Sequence, residues 1–307
     1  MLDNIKFFYR NNQYNNLLNP FSYILLVGID FMFFVKNRIN AFLISKHFHD
    51  TKKLKNSFKN KSAFVLANGP SLKKINLAAI KKRQEDHGDK VICINSFINK
   101  LSSKLIPDFY VVTDPVYFGL DQDNHNEITL KEVQNDLKLI EKYKIPTFIP
   151  VKFKDNINIK TKFYYFNDVE QRRFNSNVID ITKPRSYLSM TAYKSLSIAC
   201  YLGFKEIYIA GFDNDYFKTI EVDKENRVYY SEEHYVNQGS SGKRLFSTSE
   251  GLKQNQNTES ENLGKLLLSL SYLFSDLDKF PKNIINLNEE SLVNSFKKED
   301  IFRNSHY

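Results

Sequence analysis

The stretch FVLANGPSLKKI, residues 64–75, sets an apolar run against a Gly-Pro-Ser turn and a lysine-bearing segment. A chain with ten glycines and eight prolines places one of each directly behind its first clear strand. Gly69 can take a positive φ and lets another molecule come close to the backbone. Pro70 has φ preset for a first helical turn. Ser71 and the neighbouring amides would then face an anion from a helix N-terminus. A turn built only for tightness reads equally well from the tetrapeptide. Neither a GxGxxG fingerprint nor a GxxxxGK[ST] loop occurs anywhere in the chain.

From residue 62 on, the pattern is α/β. AFVLAN reads as a strand, SLKKINLAAIKKRQ as a helix, KVICINSF and IPDFYVVTD as strands, and EITLKEVQNDLKLIEKY as an amphipathic helix. IPTFIPV and KFYYFND follow as strands. SMTAYKSLSIACYLG reads as an apolar helix that stops at Gly203, KEIYIAGFD as another strand, and LGKLLLSLSYLFSDL and NIINLNEESLV as a closing helix and strand. The tracts NQGSSGKRLFSTSE and GLKQNQNTESEN read as a long polar loop. Alternating strands and helices predict a Rossmann-like, mostly parallel sheet with helices on both faces. Residues 1–61 form a separate N-terminal helical and basic segment, and residues 62–307 the main domain.

The N-terminal segment is apolar from Phe21 to Val35 apart from Asp30, too short for a span of about 20 residues. The lysine-rich KHFHDTKKLKNSFKNK comes next. Such a pair reads as a docking element, either for an anionic membrane surface or for a partner or the body of the fold. No cleavable leader is legible at the N-terminus. The net charge of +9 favours anionic partners, but the surplus gathers before residue 62 and no nucleic-acid motif is present. Cys93 and Cys200 both fall in apolar runs and read as free thiols of a reducing compartment. Location at the cytoplasmic face of a membrane is the expectation, and a homo-oligomer is compatible with it.

Open parallel sheets gather ligands at the carboxyl ends of their strands. There the chain places NGPS at 68–71, NS at 95–96, TDP at 113–115 and GFDND at 211–215. Turns prefer these residue types, which accounts for any one of the four but less well for all of them. The Asp-X-Asp at 213–215 reads either as a divalent-ion site or as a strand end that shapes the rim. His47 and His49 have no companion ligands, so no metal site is expected. His125, in the acidic DQDNHNE, reads as surface, and His87 and His306 have no context that assigns them a role.

LANGPSLKKI, INSFI, LGFKEIYIAGFD, HYV and NLNEESLVNSF together resemble, in the same order, the bacterial sialyltransferases of glycosyltransferase family 42. The GPSL start and the GFKEIYIAGFD strand are also similar to the MptE-like, 6-hydroxymethylpterin diphosphokinase-like group. The first resemblance covers about 62–296. It implies an inverting, metal-independent transferase that moves a sialic or related nonulosonic acid from a CMP-sugar to a glycan or glycolipid hydroxyl, with no other cofactor. It further implies that Asn68, Gly69 and Ser71 cradle the nucleotide, with Asn95 and Ser96 beside the donor phosphate. Ser96 departs from the family's usual Gln. Asp114 stands where the family tends to Asn and would accept from a ribose or sugar hydroxyl. Thr191 matches a donor-reaching serine, Arg185 lies near but out of register with a family arginine, and Asp213 shapes the site.

His234 in YYSEEHYV is then the general base, its ordinary pKa near 6.5 suiting neutral pH. By itself it reads equally as a loop histidine between acids. Tyr229 and Tyr230 would donate to the leaving phosphate, or are simply a hairpin pair. The second resemblance implies instead an ATP- and Mg²⁺-dependent diphosphotransferase, with Asp114, Asp213 and Asp215 on the metal. A non-catalytic nucleotide-binding scaffold in glycan assembly is the third alternative.

Overall fold

A computed structural model describes residues 20–100, 105–120, 127–169, 171, 174, 178–185, 190–222, 224, 228–231, 243–245 and 276–302. Its centre is an eight-stranded sheet in which every pairing is parallel. The strands are β1 (Ala63–Leu66), β2 (Lys90–Ile94), β3 (Phe109–Val111), β4 (Thr147–Pro150), β5 (Phe163–Phe166), β6 (Ile207–Ala210), β10 (Ile284–Asn286) and β11 (Lys297–Lys298). Their order is β11-β10-β6-β1-β2-β3-β4-β5. The chain therefore builds outward from β1 to β5, returns to the other side of β1 with β6, and continues outward to β10 and β11.

The apolar runs are continuous because both faces of the sheet are buried. Along β1 the side chains alternate: Ala63 and Val65 join one core, Phe64 and Leu66 the other. Helix α5 (Thr191–Leu202) covers the first face through Leu196, Ile198, Ala199 and Leu202. Helices α3 (Leu77–His87) and α4 (Glu127–Lys142) cover the second through Ile80, Val133 and Ile140. The expected two-faced α/β layering is what the residues build.

Two local features differ from the reading of the sequence. The helix expected across SLKKINLAAIKKRQ is two pieces, a 3₁₀ turn at Pro70–Lys74 and then α3. Asn76 separates them: Ile75 is extended, and the Asn76 side chain accepts from the Ala79 amide at 3.0 Å, capping a new helix. The tract read as a long polar loop contributes β9 (Lys243–Leu245) to an antiparallel sheet β7-β8-β9, with β7 at Glu221–Val222 and β8 at Val228–Ser231. Gly203 ends α5 as expected, at φ 80°, with its amide on the Ala199 and Cys200 carbonyls.

Upstream, α1 (Pro20–Leu43) is followed by a 3₁₀ turn at Ser45–Phe48 and the short α2 (His49–Lys53). These last pieces lie against the sheet. Phe48 is fully buried, and Thr51 Oγ1 donates to the Tyr165 carbonyl at 2.8 Å. The Asn56 and Phe58 amides donate to the carbonyls of Tyr201 and Leu202, and the Phe58 ring stacks on Phe204. By contrast α1 leaves Ile24, Phe31, Met32, Ile39 and Phe42 more than half exposed. Among the described residues no helix is long and apolar enough to cross a membrane.

Candidate functional site

The order of strands reverses between β1 and β6, the position where open parallel sheets open a crevice beyond their carboxyl ends. Gly69 and Ser71 leave β1 there, and Gly211 and Asp213 leave β6. The two strand ends are tied together. The Gly69 amide donates to the Gly211 carbonyl at 3.1 Å, and the Ser71 amide donates to Asp213 Oδ2 at 3.1 Å. Asn288, past the end of β10, donates through Nδ2 to Asp213 Oδ1 at 2.6 Å. Burial of Asp213 raises its carboxyl pKa, against the lowering effect of its Ser71 and Asn288 partners.

This geometry revises the reading of the Gly-Pro-Ser turn in two respects. Gly69 has φ −65°, ordinary extended backbone, so no left-handed conformation requires glycine. What requires it is space: a Cβ would sit 2.0 Å from Asp213 Oδ2 and 2.4 Å from the Gly211 carbonyl oxygen. The positive φ belongs instead to Gly211, at 73°. Second, the anion facing the Ser71 amide is the protein's own Asp213 carboxylate.

A second network runs from β2 and β3 to the start of α5. Asn95 sits at φ 38°, in the left-handed region that Asn tolerates better than most residues. Its Nδ2 donates to Thr191 Oγ1 at 3.0 Å, its Oδ1 accepts from the Thr113 amide at 3.4 Å, and its carbonyl accepts from the Tyr110 hydroxyl. The Thr113 and Thr191 hydroxyl oxygens are 2.5 Å apart. Next to them Asn68 Nδ2 donates to Ser96 Oγ at 3.3 Å, while the buried Asn68 Oδ1 has no partner. Asp114 caps the 3₁₀ turn Pro115–Phe118, its Oδ1 accepting from the Val116 amide at 3.2 Å.

Asn68, Gly69, Ser71, Asn95, Ser96, Asp114, Thr191 and Asp213 thus all lie on one rim. Arg185 does not join them. It is buried with its guanidinium over the Phe280 ring and 3.9 Å from Asp276, beside Cys200 at the end of α5 remote from Thr191. Tyr229 and Tyr230 lie on β8, opposite Leu245 and Arg244. That small sheet follows the 3₁₀ turn Tyr216–Thr219, which itself follows Asp213 and Asp215 at the end of β6. His234, three positions beyond β8, lies outside the described residues, as do Glu232 and Glu233.

Sequence reasoning passed over Thr113 and Asn288. Both stand inside short motifs, TDP and NLNEESLV, in which the neighbouring carboxylate or the strand itself is the stronger signal. Asn214 was also passed over: it is 8% exposed, holds φ 55°, and its Nδ2 has no partner. No group of three metal-ligating side chains occurs among the described residues. Cys93 and Cys200 are free thiols. Burial raises the Cys93 pKa well above the ordinary thiol value and the Cys200 pKa to about 12, so neither is a thiolate nucleophile.

Comparison with known families gives a match to the central part of the chain. Residues 39–219, well over half of the chain, match the family described as 6-hydroxymethylpterin diphosphokinase MptE-like. A search of curated proteins finds no match. The matched span holds β1 to β6 and every rim residue named above except Asn288.

Proposed function

The chain belongs to the MptE-like family, a group associated with transferase activity, and on that premise we propose that it is an inverting transferase that moves an acidic sugar from a CMP-sugar to a hydroxyl of a surface glycan or glycolipid. The observation that carries this reading is the rim of uncharged donors and acceptors, Asn68, Asn95, Ser96, Thr113 and Thr191, around the carboxyl ends of β1 to β3. Amides and hydroxyls of this kind suit a ribose, a base edge and a single phosphodiester.

In the reaction, the acceptor oxygen attacks the anomeric carbon while its proton passes to the His234 imidazole. The bond from that carbon to the phosphate oxygen breaks, and CMP leaves with the electron pair. Tyr229 and Tyr230 donate to the leaving phosphate. Asn68, Gly69, Ser71, Asn95, Ser96, Asp114 and Thr191 hold the donor, directly or by fixing one another. Asp213 acts from behind, holding the Ser71 amide and the Asn288 side chain.

The family's description names a diphosphokinase, which supports a second reading, diphosphate transfer, with ATP and Mg²⁺ as the expected donor and metal. Its metal carboxylates would be Asp114, Asp213 and Asp215. Two of them fit that role poorly. Each oxygen of Asp213 already accepts from a protein donor, and Asp114 Oδ1 caps a turn. No step is assigned to a metal here.

The apolar stripe of α1 and the lysine-rich residues after it suit an anionic membrane surface. Eight Lys or Arg stand against Asp50 alone between residues 36 and 61.

A thermal-shift panel of CMP, UDP, GDP and ATP, with and without EDTA, separates these readings. CMP should raise the Tm regardless of EDTA. Stabilisation by ATP only with added Mg²⁺ would select the diphosphotransferase, and stabilisation by UDP plus Mn²⁺ alone would remove the CMP donor. A scaffold without catalysis would leave glycan output unchanged in His234→Ala.

A further inference from the structure

Beyond the rim already described, the carboxyl ends of β4 and β5 bring together three charged side chains that the transferase chemistry above does not use. Asp168 lies two residues past the end of β5, Lys152 two residues past the end of β4, and Lys194 one turn beyond Thr191 on α5. Lys194 Nζ donates to Asp168 Oδ2 at 3.2 Å, and Lys152 Nζ lies 3.1 Å from the same oxygen. The exposures differ sharply: the side chains of Asp168 and Lys194 are 4% and 8% exposed, that of Lys152 57%.

Two aspects of the cluster exceed what a structural ion pair requires. The buried Lys194–Asp168 pair is balanced in charge, and Lys152, more than half exposed, brings a second ammonium to the same carboxylate, so the mouth of the cluster carries one surplus positive charge facing solvent. The other carboxylate oxygen, Asp168 Oδ1, is buried without a hydrogen-bond partner, and so is Nδ2 of the adjacent Asn167, a residue 1% exposed. Buried polar atoms normally find partners, so an open acceptor and an open donor beside a surplus cation mark a place for a polar, negatively charged group. The N-terminus of the twelve-residue α5, one turn from Lys194, adds to the positive potential there.

We propose that Lys194, Lys152, Asp168 and Asn167 form a subsite for an oxyanion of the substrate. Lys194 supplies the buried charge and Lys152 closes over the group from solvent. Asp168 fixes both ammoniums and accepts from a hydroxyl next to the oxyanion, and Asn167 Nδ2 donates. The oxyanion is a phosphate or a carboxylate, both of which accept from an ammonium in the same way. That the subsite takes an anion stands independently; whether the anion is the donor's phosphate or the sugar's carboxylate rests on the CMP-sugar reading.

Isothermal titration of the full chain with inorganic phosphate, CMP and a CMP-linked nonulosonic acid tests this, using Lys194→Gln and Lys152→Gln. Lys194→Gln should bind roughly 10–100-fold more weakly, the range of a hydrogen bond to a charged group. Lys152→Gln, at an exposed position that the fold does not depend on, should bind about 2–5-fold more weakly, an effect that shrinks with added salt. It keeps the test decisive if Lys194→Gln does not fold.

Loss of affinity for CMP and the CMP-sugar alike supports the subsite and identifies the phosphate. Loss for the CMP-sugar alone supports it and identifies the carboxylate. Phosphate binding that both variants weaken, in a protein that binds no nucleotide, supports the subsite while removing the CMP-sugar reading. Nucleotide binding unchanged in both variants overturns the subsite and leaves that reading standing. A wild-type protein that binds none of the three overturns both.

Discussion

Asp213 and Ser71, 142 positions apart in the chain, are joined by a 3.1 Å hydrogen bond from the Ser71 amide to the Asp213 carboxylate. That bond closes the point where the strand order reverses, and Gly69 makes it possible by lacking a side chain. In many α/β proteins the turn after β1 presents its amides to a ligand phosphate. In this chain a carboxylate from β6 takes that place, and the polar groups left open lie further along the rim, toward β2 and β3.

Gly69→Ala should therefore destabilise the fold even though its backbone is extended. The new methyl would overlap Asp213 Oδ2 and the Gly211 carbonyl, and one of these must move. A loss of about 1–3 kcal/mol is expected, the usual cost of overpacking. Urea unfolding followed by circular dichroism measures it. An unchanged midpoint would mean that β1 and β6 are not locked at this point.

Asp213→Asn should lose about 1–3 kcal/mol at neutral pH, because one of two opposed donors then faces an NH₂ group. Its pH dependence carries a sign. Burial raises the folded Asp213 pKa above its usual 3.8. Between that value and the folded one the native state holds the proton more tightly than the unfolded chain, so this carboxyl's contribution declines as pH rises across the window and is level above it. Subtracting the variant's stability from the wild type's, at pH values from about 3.5 to 6, should show that decline. A rising difference would mean that the hydrogen bonds from Ser71 and Asn288 outweigh desolvation.

Thr191→Val keeps the shape of the side chain and removes the hydroxyl shared by Asn95 and Thr113. Donor KM should rise about 2–10-fold, the worth of a neutral hydrogen bond, with Tm nearly unchanged. If Tm falls steeply while KM stays put, the network is a brace for α5 and not part of donor binding.

His234→Ala should lower kcat by about 10²–10⁴, the usual contribution of a general base, and leave the CMP-induced thermal shift intact. Equal loss of binding and turnover would move His234 from proton transfer to donor binding.

Phe42→Asp and Ile39→Asp on the exposed stripe of α1 should abolish flotation with vesicles containing phosphatidylglycerol, without altering the unfolding midpoint. Concentration-dependent dimerisation in light scattering, lost in the same variants, would make a second copy of the chain the occupant of this face instead.

Much of this molecule was legible in short windows of sequence. Apolar runs of four or five residues at β1, β2, β4 and β6, with helical spacing between them, announce a parallel sheet covered on both sides, because buried parallel strands need no polar face. Gly203 announces the end of α5, since the left-handed cap is a local conformational demand. Even Asn76, which splits the expected helix, is a capping signal readable in place.

The partners of the rim were not legible, because each is fixed by strand order and not by spacing along the chain. Nothing near Ser71 indicates that its amide belongs to Asp213, nor does anything near Thr191 point to Asn95 and Thr113. Lys194 looks like one more lysine on an otherwise apolar helix until β5 brings Asp168 beneath it. Sequence alone determined the layers and the end of the sheet where polar side chains gather. Only the tertiary structure decided which of those side chains satisfy one another and which remain open, because hydrogen-bond partnership at a strand end depends on neighbours that the crossovers bring together from far apart in the chain, 142 positions in the case of Ser71 and Asp213.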